Sequence, residues 1–193
     1  MALLALLALG GCASVGAQLV GSAVSIALEA SGVLKKDSGN KNKQYDIPIR
    51  IFAGEQLNTT SNRKSLSLVL KIYIFRASER LKTLSYSQIS SPESEKEALG
   101  EDLISVREIT LIPEKSYEFI LKVPEEGTTI GVVGVFREPY ANRWKLAFDA
   151  KQSVDQGITI GAHSCSLTAS KGVLITTISS ESAQSLNGVQ CNK

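Results

Sequence analysis

Cys12 follows Leu9, Gly10 and Gly11 at the end of an uncharged apolar run that begins at residue 2. A cysteine placed behind small residues and a short apolar run is what a lipoprotein signal peptidase cuts, on the amino side of the thiol. The thiol then takes a diacylglyceryl group and the freed amino terminus a third acyl chain. On this reading residues 1–11 are a removable signal peptide and the mature chain begins, lipidated, at Cys12. Such peptides open with Lys or Arg and this run does not, so the reading expects a short basic segment ahead of Met1. The competing reading is a retained transmembrane span, because residues 1–28 carry no charged side chain and could cross a bilayer core. Gly10, Gly11, Gly16 and Gly21, with Ser14, Gln18, Ser22 and Ser25, weigh against a span.

The other groups with chemical potential are few. With Cys12 lipidated, Cys165 and Cys191 remain as a pair in a compartment that permits oxidation. A bridge between them would close a loop of about 26 residues, worth roughly 3–3.5 kcal/mol in the chain-entropy model; the alternative is two free buried thiols. His163 is the one histidine, set in IGAHSCSL with no G-x-S-x-G elbow in the chain, and it reads as an ordinary strand residue. One His and two distant Cys make a poor zinc set, and no glycine-rich phosphate loop occurs. Glu93, Glu95, Glu97, Glu101 and Asp102 read as a solvated charged face, and Asn58-Thr59-Thr60 as an incidental sequon. Tyr140 and Trp144 flank a loop, with Trp144 reading as core. With 21 basic and 19 acidic residues the net charge is +2, too weak a field to favour nucleic acid. No enzyme, cofactor, metal or small-molecule substrate is expected.

The elements that would carry these residues are mostly strands. Residues 13–34 read as a helix of small and aliphatic residues, and 35–44 (KKDSGNKNKQ) as a solvated linker. From Tyr45 the period is two: Ile47, Ile49 and Ile51 share one face, and Pro48 puts this strand, or that side of it, at an edge. Leu66 to Ile74 alternates on one face, with Val69, Tyr73 and Phe75 on the other, as in a central strand half covered on its second side. A short strand is expected near Leu81–Ser87. Ser91-Pro92-Glu93 then starts a helix that Gly100 ends. Further strands are expected over 104–111, 117–123, 129–137, 144–148, 158–168 and 173–179. Seven or eight short strands about ten residues apart imply an all-β, antiparallel two-sheet sandwich over 45–193, with the helical insertion as a decoration.

Residues 111–148, LIPEKSYEFILKVPEEGTTIGVVGVFREPYANRWKLAF, resemble the signature half of the TssJ (SciN) lipoproteins of bacterial type VI secretion. The shared elements stand as Ile112-Pro113, Gly131 to Arg137, the polar loop Glu138 to Arg143, and Trp144-Lys145. The strand with Ile49 and Ile51, SLVLKIYIF and the helical insertion also fit, so the likeness covers about 45–168 plus the residues around Cys12. Residues after Ala169 fit less well and read as an extension pinned by Cys191. The resemblance implies a transthyretin-like sandwich with an N-terminal helix, lipid-anchored on the periplasmic face of the outer membrane. It implies binding to the periplasmic region of TssM, and through it TssL. The alternative function is a lipid-anchored module or pilotin of another envelope system. The family's contact loop corresponds to Gly54–Lys64, with Glu55, Gln56, Leu57, Asn58 and Thr59 as candidate contacts and Leu57 as apolar anchor. Ala13, where Asp would favour inner-membrane retention, suits outer-membrane sorting by analogy.

Overall fold

The computed structural model describes residues 43–191. The signal peptide, Cys12, the expected 13–34 helix and all but the end of the linker lie outside the described residues. Alternating apolar residues make the described chain a two-sheet sandwich. One sheet holds β1 (Gln44–Ala53), β4 (Ser116–Pro124), β7 (Ile158–Ala162) and β8 (Leu167–Lys171) in the order β4-β1-β7-β8. The other holds β2 (Leu68–Phe75), β3 (Leu103–Leu111), β5 (Thr129–Val135) and β6 (Lys145–Asp149) in the order β3-β2-β5-β6. Ile47, Ile49 and Ile51 of the first sheet and Leu68, Leu70, Ile72 and Ile74 of the second belong to one buried core. Each such side chain contributes about 1.5–3 kcal/mol by leaving water.

The pairing departs from a purely antiparallel sandwich at one place. β1 pairs antiparallel with β4 but parallel with β7, from Ile49 opposite Ile158 to Ala53 opposite Ala162. β1 is therefore internal, and only one side of it at Pro48 is open. The Ala53 N–H donates to Lys115 O on the β4 side and the Gly54 N–H to Ala162 O on the β7 side. Strand alternation then directs the N–H that Pro48 lacks toward β7, whose pairing has not yet begun at that residue. The proline costs no ladder bond.

β5 is buried on both faces, and β2 on one face and on the Tyr73–Phe75 half of the other, where Val69 stays exposed. Their outer face is covered by α1 (Glu79–Thr83), a 3-10 turn (Tyr86–Ile89) and α2 (Pro92–Leu99). The strand expected near Leu81–Ser87 is replaced by the first two of these. Leu81 and Leu84 stand three apart, a helical spacing, and both are buried. Leu81 fills the space left by Gly131, where an added Cβ would come within 2.7 Å of its Cδ2. Lys145 clamps the end of α1 by donating to the carbonyls of Leu81, Lys82 and Leu84 at 2.8, 2.8 and 2.6 Å. α2 starts as expected: Ser91 Oγ accepts the Ser94 N–H at 3.2 Å, Pro92 occupies the first turn, and Gly100 takes φ 55° at the end.

One acid on α2 departs from the solvated face expected of it. Glu95 is buried, accepting from the Tyr73 hydroxyl at 2.6 Å and pairing with Lys71, which also meets Glu108 at 3.2 Å. Desolvation alone would lower the Lys71 pKa. The hydrogen bonds and charges of Glu95 and Glu108 outweigh it and hold the ammonium above the ordinary lysine value. Burial, then the Glu95 hydrogen bond, pushes the Tyr73 phenol far above the ordinary tyrosine range.

The C-terminal third also differs from the strand pattern. The expected 158–168 strand is two, β7 and β8, joined by a turn at residues 163–166, so His163 stands in a turn. The expected 173–179 strand is reduced to one bridge between Leu174 and Phe148. There Asp149 N–H donates to Val173 O and Ile175 N–H to Ala147 O, which covers the free edge of β6. The chain then turns into α3 (Ser180–Ala183), whose first turn is capped by the Ser179 side chain.

Replacing Glu95 with Ala is expected to cost about 3 kcal/mol in urea unfolding, because Lys71 and Tyr73 lose a buried partner. The folded state also keeps the Lys71 and Tyr73 protons at pH values where the unfolded chain releases them. This contribution is complete below about pH 10 and is lost as pH rises further. Wild type should therefore lose stability above about pH 10 more steeply than the Glu95→Ala variant.

Candidate functional site

The parallel β1–β7 pair ends at Ala53 and Ala162, side by side, and the loop after each continues the contact. Gly54 N–H donates to Ala162 O at 2.8 Å, Asn58 N–H to His163 O at 3.1 Å and Thr59 N–H to Ser164 O at 3.2 Å. The Ser164 hydroxyl returns a bond to Gln56 O at 3.0 Å. At the tip, Arg63 N–H donates to Thr60 O at 2.8 Å and Thr60 N–H to Lys64 O at 3.0 Å, with Arg63 in the left-handed region at φ 60°. The chain leaves by way of Leu66 N–H to Leu57 O and the Ser65 hydroxyl to Glu55 O. Gly54–Lys64 is therefore a built loop, hydrogen-bonded at its base, flank and tip, where a solvated connection would have left its backbone to water.

The five candidate contacts do not share one role. Glu55 and Gln56 are exposed, and Thr59 is half-buried. Leu57 is 0% exposed and joins the sandwich core, so it is not the apolar anchor expected of it. A leucine buried in the core removes its apolar area from water within the fold and leaves none for a partner. Asn58 is buried too, at φ 46°. Its side chain donates to Ser67 O at 2.8 Å and accepts from Arg137 N–H at 2.7 Å, which makes it a structural clamp. The surface left for contact is Glu55, Gln56 and the tip residues Ser61, Asn62, Arg63 and Lys64, all exposed. The tip lies within the loop singled out by the sequence but outside the five residues, whose composition alone does not separate inward from outward positions.

Three further segments reach the same end of the sandwich. The β3–β4 turn places Glu114 N–H on Ala53 O at 3.0 Å and exposes Ile112. The β5–β6 loop carries Arg137 and Tyr140, and Tyr140 N–H donates to Cys165 O at 2.8 Å. The β7–β8 turn carries His163 and Cys165, and Cys165 is joined to Cys191 by a disulfide with Cα atoms 5.6 Å apart. The chain enters the sandwich at the opposite end, where Gln44 pairs with Pro124. The ten residues of β1 separate the two ends by about 30 Å.

The described residues do not assemble a reactive centre around the groups considered for one. His163 meets Thr168 Oγ1 at 2.9 Å through Nε2, and burial lowers its pKa. No group of three or more His, Cys, Asp or Glu among the described residues could hold a metal ion. Trp144 is buried edge-on against Tyr86, with ring centroids 5.1 Å apart, and is no exposed anchor. A recess of about 480 Å³ between α1 and α2 is lined by Arg80, Thr83, Leu84, Gln88, Ser94, Glu97 and Ala98. Ser94 is engaged there with the α2 cap at Ser91.

The family model described as type VI secretion lipoprotein (VasD, EvfM, TssJ) matches residues 46–165. No curated protein matches the chain. Among solved structures, the lipoprotein TssJ1 of Pseudomonas aeruginosa aligns at 17% identity and TM-score 0.60, over 67% of this chain and 97% of that one. Serratia marcescens Lip, a membrane-bound component of the type VI secretion system, aligns at 14% identity and TM-score 0.58, over 66% and 98%. A chain of a structure described as a type VI membrane complex aligns at 22% identity and TM-score 0.60, over 65% and 98%. At these identities the likeness to the solved structures is one of fold.

Leu57→Ala is expected to cost about 2–5 kcal/mol of stability in urea unfolding. Glu55→Ala and Gln56→Ala should stay within about 0.5 kcal/mol of wild type, as exposed positions do.

Proposed function

Since the chain belongs to the type VI secretion lipoprotein family of TssJ, whose members are structural lipoproteins rather than enzymes, we propose that it docks TssM at the outer membrane. Acyl chains on Cys12 hold it to the periplasmic face of that membrane, and the Gly54–Lys64 loop receives the periplasmic region of TssM, and through it TssL. The observation that carries this reading is the built loop at the end of the sandwich opposite the chain's entry. A loop already held by its own hydrogen bonds loses little conformational entropy when a partner settles on it. Its distance from the entry end suits a domain tethered at one end and bound at the other. The buried Leu57 moves the expected contact to Glu55, Gln56 and Asn62 to Lys64, a polar surface read by hydrogen bonds and charge. One acyl chain gives only marginal attachment at about 0.8 kcal/mol per buried CH₂, whereas a triacylated cysteine supplies three.

Glu55, Gln56, Arg63 and Lys64 replaced together by Ala should weaken capture of the purified TssM periplasmic domain at least roughly tenfold while unfolding stays near wild type. Undiminished capture would remove the loop from the interface. Cys12→Ser should shift the protein from the membrane pellet to the soluble fraction or leave its precursor uncut. Wild-type fractionation and processing of that variant would reject the anchor.

A further inference from the structure

We propose that residues 172–191 form a strap that sets the geometry of the docking loop, locked in place by the Cys165–Cys191 disulfide. The inference rests on the docking reading for its consequence, but its physical content is a property of the free protein. The strap lies beyond the residues that the family model matches. The family match ends at Cys165, seven residues before the strap begins.

The β7–β8 turn connects strap and loop through its two sides. On one side, His163 O and Ser164 O accept the Asn58 and Thr59 N–H groups, and the Ser164 hydroxyl donates to Gln56 O. On the other, Cys165 is bonded to Cys191. The two attachments stand on consecutive residues, Ser164 and Cys165, so the planar peptide between them carries a displacement of one to the other. The β5–β6 loop makes a second connection. Tyr140 N–H donates to Cys165 O at 2.8 Å, and the Tyr140 hydroxyl donates to Gly188 O in the strap at 2.9 Å. Arg137 N–H, three residues earlier, donates to Asn58 Oδ1 in the docking loop at 2.7 Å. Docking loop, β7–β8 turn and β5–β6 loop thus close a ring of hydrogen bonds, and the strap grips two of its three members.

A buried cation gives the strap a third attachment. Arg143 is 5% exposed and donates through Nη2 to Ser185 O at 3.2 Å, while its Nη1 has no partner among the described residues. Release of the strap would take away the acceptor that this guanidinium has in residue 185. An under-satisfied buried charge is costly, so the β5–β6 loop would shift to rehydrate it. That shift passes to Asn58 through Arg137.

The test compares the full chain in three forms: oxidised wild type, Cys191→Ser, and Tyr140→Phe, which removes the hydroxyl tie to Gly188 and leaves both cysteines. Amide hydrogen exchange at Asn58 and Thr59 should be roughly tenfold faster in Cys191→Ser, as expected when local opening replaces a braced loop, and accelerated to a lesser degree in Tyr140→Phe. Affinity for the TssM periplasmic domain should fall in the same order. Unchanged exchange at both amides in folded Cys191→Ser would overturn the strap. If that variant does not fold, unchanged exchange in Tyr140→Phe overturns it equally. Failure of oxidised wild type to bind the TssM domain would instead overturn the docking reading, and the exchange rates would still decide the strap.

Discussion

The parallel pairing of β1 with β7 is the constraint on which the rest of the described structure depends. Parallel neighbours cannot be joined by a hairpin. Here about a hundred residues, from β2 through β6, pass between Ala53 and Ile158 before the pair closes. Two consequences follow from that closure. The intervening strands form the second sheet and supply the opposite wall of the core. The ends of β1 and β7 also fall at one end of the sandwich, so the loop after β1 can lie on the turn after β7. An antiparallel pairing of the same two strands would have sent these connections to opposite ends.

The second sheet solves a different problem. β2 and β5 carry apolar or aromatic side chains on both faces, and only one face can meet the first sheet. The segment from Glu79 to Asp102 covers the other, and polar groups fix its position. Lys145 holds three carbonyls near the end of α1, and Glu95 joins α2 to Lys71 and Tyr73 beneath it. Glu95 and Lys145 are thereby matched by partners, which is the condition under which burying such charges is tolerable. The loop end of the sandwich follows the same rule for the backbone, where N–H groups from residues 54–66 find acceptors within the loop, at the end of β7 and in the β7–β8 turn.

Much of this was legible because apolar periodicity reports directly on burial. The runs around Ile49, Leu70, Phe119 and Val132 placed their strands, and Ser91-Pro92 with Gly100 placed α2. Misreadings arose where a short apolar sequence serves two periods. Leu81 and Leu84 fit a strand by composition and a helix by spacing. Val173 to Ser179 is rich in β-branched residues yet makes only one bridge, because its pairing depends on the short β6 edge it meets. At the candidate site the loop was legible and its residues were not. Leu57 and Asn58 sit among polar neighbours that suggest exposure, but Leu57 joins the core and Asn58 is held by Ser67 and Arg137, contacts that lie farther along the chain.

The sequence by itself determined the all-β class, the family, the capped helix of the insertion and the residues around Cys12 that set the expected lipid attachment, since all of these are written in local spacing and side-chain chemistry. Only the tertiary structure decided that β1 lies inside its sheet beside β7, that Glu95 is buried, that Leu57 belongs to the core, and that Cys165 ties the C-terminal segment beside the Gly54–Lys64 loop. Each of these turns on a contact between residues far apart in the chain. Which face of a loop meets the core is set by where the other strands end, and no local pattern carries that information.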